Sequence, residues 1–312
     1  MQKLAFVFPG QGSQSVGMMA AYGDDPAIRS TFDEASAALG EDLWSMVCDG
    51  PAERLALTTN TQPLMLTAGV AVYRSWMVRT GRRPDMVAGH SLGEYAALVA
   101  AGVLALADAV PLVRLRAQAM QDAVPAGTGA MAAVLGLDAA AVQACCNDAA
   151  QGQIVSAVNF NSPEQTVIAG HAEAVTRAMT LLSERGAKRT VALPVSAPFH
   201  CALMQPAAAR LAEALPKVAF ARPTITLINN VDVASPDEPD AIRDALVRQA
   251  AAPVRWVEVI QRMAELGAVT VAECGPGKVL AGLTKRINRE LTGVALADAA
   301  ALEQLAQQIG AR

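Results

Sequence analysis

The chain has little of the chemistry on which several classes of protein depend. Its 312 residues include only five cysteines, an odd number with no C-x-x-C pair, which argues against a disulfide framework and a zinc site. The formal net charge is -4, and no basic cluster with aromatic residues occurs, so nucleic-acid binding is not expected. We therefore expect a protein without a bound metal ion and without a nucleic-acid partner.

Long uninterrupted apolar runs are also missing, although 53% of the residues are hydrophobic. The longest charge-free stretches, residues 55–73 and 190–209, contain polar residues or prolines, so neither is an apolar helix of about 20 residues that would cross a membrane. A predicted strand follows Lys3 at once and leaves no room for a signal peptide. The expectation is a cytoplasmic protein with no membrane partner.

Alternating strands and helices predict an α/β fold. Strands are predicted at residues 4–8, 86–88, 225–229 and 269–273. Together they should form one core around a parallel sheet, with functional loops at the carboxyl ends of the strands.

A second unit interrupts this pattern. Its strands are predicted at residues 130–135, 154–159, 165–169 and 189–193, and its helices at residues 138–150 and 172–185. The order βαββαβ is that of a ferredoxin-like subdomain. The predicted domains are therefore a core of residues 1–126 and 197–312 and an inserted subdomain of residues 127–196.

A serine between two glycines, Gly89-His90-Ser91-Leu92-Gly93, joins the strand at residues 86–88 to a predicted helix at residues 92–101. Two flanking glycines leave room for a sharp turn that exposes the serine hydroxyl at the helix N-terminus. This is the pattern of a nucleophile elbow and predicts an α/β-hydrolase-like core. The same five residues also fit an ordinary connection between a strand and a helix.

Only three histidines are available as a base for Ser91. His90 adjoins the serine on an extended strand end, where neighbouring side chains point in opposite directions. His171 stands at a predicted helix start, where a capping role explains it better. His200 lies in an irregular, proline-bounded loop at the return to the core, and elimination favours it as the base.

An arginine lies in an apolar stripe of the helix predicted at residues 105–123. Arg116 falls among its apolar positions, whereas Arg114 falls on the opposite face. A buried arginine must find a counter-charge. That partner is either a carboxylate of the protein or a carboxylate of the substrate, held by the two-pronged guanidinium group.

Two glycine-containing loops do not fit nucleotide motifs. The loop after the first strand has Ser15 where a dinucleotide fingerprint needs a third glycine, and the loop at residues 275–278 lacks the glycine and hydroxyl residue of a phosphate loop. A glycine-lined loop beside a nucleophile is instead suited to present backbone N–H groups to an oxyanion.

These features together resemble the malonyl-CoA:acyl carrier protein transacylases of fatty-acid synthesis and, more distantly, the acyltransferase domains of polyketide synthases. The resemblance covers essentially the whole chain. It is carried by Phe8-Pro9-Gly10-Gln11-Gly12-Ser13-Gln14, Gly89-His90-Ser91-Leu92-Gly93-Glu94-Tyr95, Arg114-Leu115-Arg116, Val158-Asn159-Phe160-Asn161-Ser162-Pro163, Pro198-Phe199-His200, Gln249 with Pro253-Val254, and Glu273-Cys274-Gly275-Pro276-Gly277-Lys278.

The resemblance implies roles for particular residues. Ser91 would be acylated, His200 would be its base, and Arg116 would bind the malonyl carboxylate. Gln249 would orient the histidine in place of a triad acid. The resemblance also implies an oxyanion hole made by the backbone N–H groups of Gln11 and Leu92, and a place for Asn159 in the lining of the site.

The resulting hypothesis is a ping-pong transfer of malonyl from malonyl-CoA to the phosphopantetheine thiol of a holo acyl carrier protein, by a monomer that needs no bound cofactor. A serine thioesterase or esterase is the main alternative, since it differs only in admitting water to the acyl-enzyme. A malonyl-loading subunit of a polyketide synthase or a malonate decarboxylase is another. A non-catalytic delivery subunit is disfavoured by the intact Ser91, His200 and Arg116.

Overall fold

The computed structural model describes residues 3–310, and the elements below belong to that part of the chain. The strands are β1 (Lys3–Phe8), β2 (Met86–Gly89), β3 (Gly129–Leu135), β4 (Val155–Ser162), β5 (Gln165–His171), β6 (Arg189–Ala192), β7 (Thr226–Ile228), β8 (Ala268–Glu273) and β9 (Thr292–Ala295). The helices are α1 (Pro26–Leu39), α2 (Leu43–Asp49), α3 (Ala52–Ala56), α4 (Thr58–Thr80), α5 (Gly93–Ala100), α6 (Leu106–Asp122), α7 (Ala139–Ala150), α8 (Ala172–Glu184), α9 (Gln205–Ala214), α10 (Pro239–Ala250), α11 (Trp256–Glu265), α12 (Val279–Ile287) and α13 (Ala299–Gln308).

The larger sheet is parallel throughout, with strand order β7-β2-β1-β8-β9. Its central strand β1 is buried from Leu4 to Phe8, as expected for a strand covered by helices on both faces. The predicted α/β class with a parallel sheet is confirmed. The edge strand β9 was not predicted, because its four residues, Thr-Gly-Val-Ala, form no apolar run.

The smaller sheet is antiparallel, with strand order β4-β5-β3-β6. Helices α7 and α8 pack on it through a hydrophobic cluster that includes Val142, Cys146 and Leu182. The order of elements, β3-α7-β4-β5-α8-β6, agrees with the predicted ferredoxin-like unit. The division of the chain into domains at residues 127 and 196 stays a prediction.

Main-chain hydrogen bonds join the smaller sheet to the segment that follows α10. The N–H of Val254 donates to the carbonyl of Val158 at 2.8 Å, and the N–H of Phe160 donates to the carbonyl of Val254 at 3.0 Å. The pairing of β4 with β5 is irregular here, between Ala157 and Asn159. These bonds hold Asn159 close to the end of α10, which carries Gln249.

Helix α4 is buried over most of its 23 residues. A helix that is buried almost all round lies in the core of a protein of this size. In the part of the chain that the structure describes, no helix is long and apolar enough to cross a membrane.

His171 does not have the capping role that the sequence suggested. It occupies the position before α8, but its side chain makes no capping hydrogen bond. Its Nδ1 atom instead accepts a hydrogen bond from the backbone N–H of Ile154 at 2.9 Å. The imidazole therefore fixes the start of β4, and the predicted capping role is wrong.

Candidate active site

The turn between β2 and α5 has the geometry of a nucleophile elbow. Ser91 has a φ of 52°, a left-handed conformation that costs energy for a residue with a side chain. A Cβ atom on Gly89 would lie 1.8 Å from the carbonyl carbon of Gly93, and one on Gly93 would lie 2.0 Å from the carbonyl oxygen of Phe8. The two glycines are therefore required for this turn to pack against β1.

Ser91 and His200 form a direct hydrogen-bonded pair. The distance from Ser91 Oγ to His200 Nε2 is 2.6 Å. On the other side of the ring, Nδ1 lies 3.0 Å from the backbone oxygen of Gln249. A carbonyl oxygen can only accept, so Nδ1 carries the proton and Nε2 is left to accept the serine proton. His200 itself has a φ of 65°.

The imidazole of His200 is strongly disfavoured as a cation in this site. Burial, followed by the positive charge of Arg116, lowers its pKa to about 3. The ring is thus neutral near pH 7 and free to accept a proton. An anion paired with Arg116 would remove the second cause and make His200 more basic.

Arg116 lies beside the nucleophile and is 1% exposed. Its Nη2 atom is 3.3 Å from Ser91 Oγ and 3.1 Å from Gln249 Oε1, and its Nη1 atom donates to Gln62 Oε1 at 2.8 Å. Within residues 3–310, no carboxylate forms a salt bridge with it. In the same part of the chain, its Nε atom has no hydrogen-bond partner. Of the two partners left open by the sequence, a direct protein carboxylate is therefore not found.

Gln249 contacts the site through both its backbone and its side chain. The backbone carbonyl accepts from His200, in the place that a carboxylate takes in a serine triad. The side-chain Nε2 donates to the backbone oxygen of Ser91 at 3.0 Å and to Glu94 Oε2 at 2.9 Å. The fully buried side chain of Gln249 thus links the backbone of Ser91 to the carboxyl group of Glu94.

The candidate oxyanion donors lie at the ends of two strands. Neither the backbone N–H of Gln11, after β1, nor that of Leu92, at the start of α5, donates a hydrogen bond within the described residues. The side chain of Gln11 donates to Thr58 Oγ1 at 3.2 Å. Backbone N–H groups without partners at a helix N-terminus are suited to stabilise a developing negative charge.

Two residues of the site were not singled out as site residues by the sequence. Asn230, which follows β7, accepts from the backbone N–H of Ser91 at 2.8 Å and donates to the backbone oxygen of Gly89 at 2.7 Å. Glu94 accepts from the backbone N–H of Asn230 at 3.0 Å. A signal existed for Asn230, because polar residues after a parallel strand lie at the functional edge of the sheet.

A cavity of about 290 Å³ lies against the elbow. His90, Asn159 and Asn161 line it together with Gln11. The side chains of His90 and Asn161 are joined by a hydrogen bond of 2.8 Å between Nε2 and Oδ1. Asn159 therefore lies in the lining, as the sequence resemblance implied, and His90 faces the same cavity.

A second cavity, of about 510 Å³, shares Gln165 with the lining of the first. We call the first the inner cavity and the second the outer cavity. Helix α12 also runs along both cavities, with apolar residues beside the inner one and cations beside the outer one. The cations of the outer cavity are Lys188, Lys285, Arg286 and Arg289. Lys188 pairs with Glu164 at 3.0 Å, whereas the other three form no salt bridge within the described residues. This basic rim is suited to bind an anionic group.

Comparisons with known proteins agree with this geometry. A family model described as an acyl transferase domain matches residues 5–305. The malonyl CoA-acyl carrier protein transacylase of Escherichia coli strain K12 is 58% identical over 308 residues, which cover 97% of this chain and 100% of the relative. A protein with the same name from Bacillus subtilis strain 168 is 45% identical, over 99% of this chain and 98% of the relative.

Solved structures of malonyltransferases also match nearly the whole chain. A crystal structure of an acyl-carrier-protein S-malonyltransferase from Burkholderia pseudomallei 1710b has a TM-score of 0.96 at 57% identity, covering 98% of this chain and 99% of that one. A malonyl-transacylase solved in complex with its type II PKS acyl-carrier protein has a TM-score of 0.97 at 50% identity, with 98% and 99% covered.

Proposed function

Because the chain belongs to the malonyl-CoA:acyl carrier protein transacylases of the acyl transferase domain family, we propose that it transfers malonyl from malonyl-CoA to the phosphopantetheine thiol of a holo acyl carrier protein. The product would supply fatty-acid synthesis. The observation that carries this proposal is the oxygen of Ser91, which lies 2.6 Å from a neutral histidine nitrogen and 3.3 Å from a buried arginine that has no salt bridge within residues 3–310.

In the first half-reaction, Ser91 Oγ attacks the thioester carbon while His200 Nε2 takes the hydroxyl proton. The backbone N–H groups of Gln11 and Leu92 stabilise the oxyanion of the tetrahedral intermediate. The intermediate collapses as the carbon–sulfur bond breaks, and the imidazolium returns its proton to the CoA sulfur. Malonyl is then esterified to Ser91.

In the second half-reaction, the thiol of the carrier protein attacks the ester while His200 takes the thiol proton. The carbon–oxygen bond breaks, and the same proton returns to Ser91 Oγ. Arg116 holds the free carboxylate of malonyl in both steps, which also raises the basicity of His200. These steps use only protein groups and the two substrates, so we propose that no metal ion or bound cofactor takes part.

The shape and charge of the cavities support an entry path for both substrates. CoA and a holo carrier protein each present a thiol at the end of a phosphopantetheine arm. We propose that this arm lies along α12, with its phosphate at the basic rim and its thiol in the inner cavity beside His90.

Two further expectations belong to this proposal. Five unpaired cysteines are usual in the reducing cytoplasm, which supports a cytoplasmic location. Within residues 3–310 only four large hydrophobic side chains are exposed, Val16, Leu57, Val78 and Val279. So few exposed apolar side chains support a monomer, because interaction sites between proteins are usually larger apolar patches.

Intact-protein mass spectrometry tests the proposed function. Malonyl-CoA alone should add the mass of one malonyl group, and addition of holo carrier protein should discharge it to the carrier. Ser91→Ala should form no adduct and His200→Ala should form it several orders of magnitude more slowly, while the double variant should be little worse than either single one. A malonyl adduct on Ser91→Ala would refute the assignment. Release of free malonate at one rate with and without the carrier would favour the hydrolase alternative.

A further inference from the structure

Glu94 is a buried carboxyl group that the proposed steps leave without a role. It stands in the first turn of α5, three positions after the nucleophile, and is 1% exposed. One of its oxygens, Oε2, accepts from the backbone N–H of Asn230 at 3.0 Å and from Nε2 of Gln249 at 2.9 Å. A carboxyl buried in this way is costly unless its hydrogen bonds offset the loss of water.

Through Asn230, this carboxyl acts on the turn that carries the nucleophile. The side chain of Asn230 bonds both ends of the elbow, the carbonyl of Gly89 and the N–H of Ser91. Because Ser91 is held in a left-handed conformation, the turn needs such bonds to persist. Glu94 fixes the backbone from which Asn230 makes them.

Through Gln249, the same carboxyl acts on the base and on the arginine. The Nε2 atom of Gln249 has two acceptors, Glu94 and the carbonyl of Ser91, so the orientation of its amide is determined. Its Oε1 atom then faces Arg116 at 3.1 Å, and its backbone carbonyl accepts from His200. Loss of Glu94 would free this amide to rotate.

The negative charge of Glu94 also bears on the imidazolium that forms when His200 accepts the serine proton. A serine triad stabilises its imidazolium with a carboxylate in direct contact. Here the described residues place a neutral carbonyl beside His200 and the cation Arg116 nearby. The side-chain amide of Gln249 lies between the carboxylate of Glu94 and this carbonyl. The negative charge of Glu94 partly compensates the positive charge of Arg116.

We propose that Glu94 is a positioning residue of the acyl transfer. Its carboxylate aligns Ser91 and His200 through Asn230 and Gln249, and its negative charge favours the imidazolium that forms in each half-reaction. This inference rests on the proposed function, because it concerns the rate of that reaction.

The ionisation of Glu94 should be visible in the pH dependence of acylation. Burial raises the pKa of Glu94 to about 7, and the negative charge of Asp232 acts in the same direction. The hydrogen bonds of the carboxyl group and the charge of Arg116 act in the opposite direction. Asp232 is itself paired with Arg248 at 2.6 Å. The pKa of His200, at about 3, lies well below this range. The kcat/KM of acylation reports groups of the free enzyme, before malonyl pairs with Arg116 and makes His200 more basic, so in the wild-type protein it should rise as the pH passes through about 7.

The test measures single-turnover acylation by malonyl-CoA across this pH range in the wild type, Glu94→Gln and Glu273→Gln. Glutamine keeps the size of Glu94 and an acceptor oxygen but removes its charge. Glu273 is a matched control, because it is also fully buried with a raised pKa but bonds to the N–H of Ala281 in α12, outside the network of Ser91.

In Glu94→Gln, we expect acylation above pH 7 to fall about 10- to 100-fold, because the loss of a nearby negative charge disfavours the imidazolium of His200. The rise through pH 7 should disappear, while the KM for malonyl-CoA stays within about threefold. Glu273→Gln should keep the rise through pH 7, whatever its effect on the KM through α12. Circular dichroism checks that both variants are folded.

A Glu94→Gln variant with the wild-type rate and pH profile would overturn the inference, as would the loss of the rise through pH 7 in Glu273→Gln. If Glu94→Gln does not fold, the wild type decides alone through the pH profile of kcat/KM, since a flat profile through pH 7 overturns the role of the charge and a rise supports it. Failure of the wild type to form any adduct would instead refute the proposed function.

Discussion

Arg116→Ala should remove the selectivity of the protein for malonyl-CoA over acetyl-CoA, which has no free carboxylate. The guanidinium group lies 3.3 Å from the oxygen that is acylated, and no carboxylate of the described residues forms a salt bridge with it. Removing one member of a buried charged pair costs about 2 to 5 kcal/mol, which corresponds to about 30-fold to several thousand-fold in kcat/KM. Acetyl-CoA has no second carboxylate, so its transfer should stay unchanged or increase.

The assay is the ratio of kcat/KM for malonyl-CoA to that for acetyl-CoA. Arg114→Ala is a matched control, because it removes the same side chain from the same helix where it pairs with Glu41 at 2.7 Å. Arg116 also lies over the ring of Tyr95, with 5.5 Å to the ring centroid, so thermal unfolding must confirm that the variant is folded. Equal losses for both acyl groups in a folded variant would show that malonyl recognition lies elsewhere.

Three further predictions concern the turn, the buried carboxyl and the basic rim. Gly93→Ala should destabilise the protein by more than about 4 kcal/mol in urea unfolding, because its Cβ would lie 2.0 Å from a backbone oxygen of β1. Gly282→Ala should be tolerated, because within the described residues no atom beyond its chain neighbours and the nearby backbone of its own helix would lie within 4 Å of the added Cβ. The pKa of Glu94 in the folded protein is about 7, above its ordinary value of 4.5. Its contribution to stability is therefore fully present below pH 4.5 and is lost as the pH rises through 7. Between pH 5 and 8, the free energy of unfolding of Glu94→Gln in urea should exceed that of the wild type by up to about 3 kcal/mol. Charge reversal of Lys285 and Arg286 should raise the KM for holo carrier protein about tenfold at low salt and less at high salt, with kcat retained.

Local patterns in the sequence were sufficient to predict the residues that meet at the centre of the site. The helix predicted at residues 105–123 is observed at Leu106–Asp122, and its periodicity alone predicted a buried Arg116. Elimination among three histidines selected His200, which the structure brings to Ser91. The burial of Arg116 could be predicted because it depends on residues close together in the chain, whereas His200, 109 positions from Ser91, was reached by elimination alone. The roles assigned to these residues stay predictions until the variants are measured.

The supporting contacts could not be predicted, because they join distant parts of the chain. Gln62 meets Arg116 across 54 positions, and Asn230 meets Ser91 across 139. A glutamate in the first turn of a helix is common for electrostatic reasons, so Glu94 gave no separate signal. Its burial follows from how α5 packs against the segment after β7, which no local pattern specifies.

The site concentrates features that disfavour folding. Ser91 and His200 both have positive φ angles, and Arg116 is buried with an unpaired Nε atom. Each costs free energy that the core must offset, and each has a use in the proposed reaction. The strain exposes the serine hydroxyl, and the unsatisfied arginine retains affinity for a substrate carboxylate. Substitutions that relieve these costs should therefore stabilise the protein while they lower its activity.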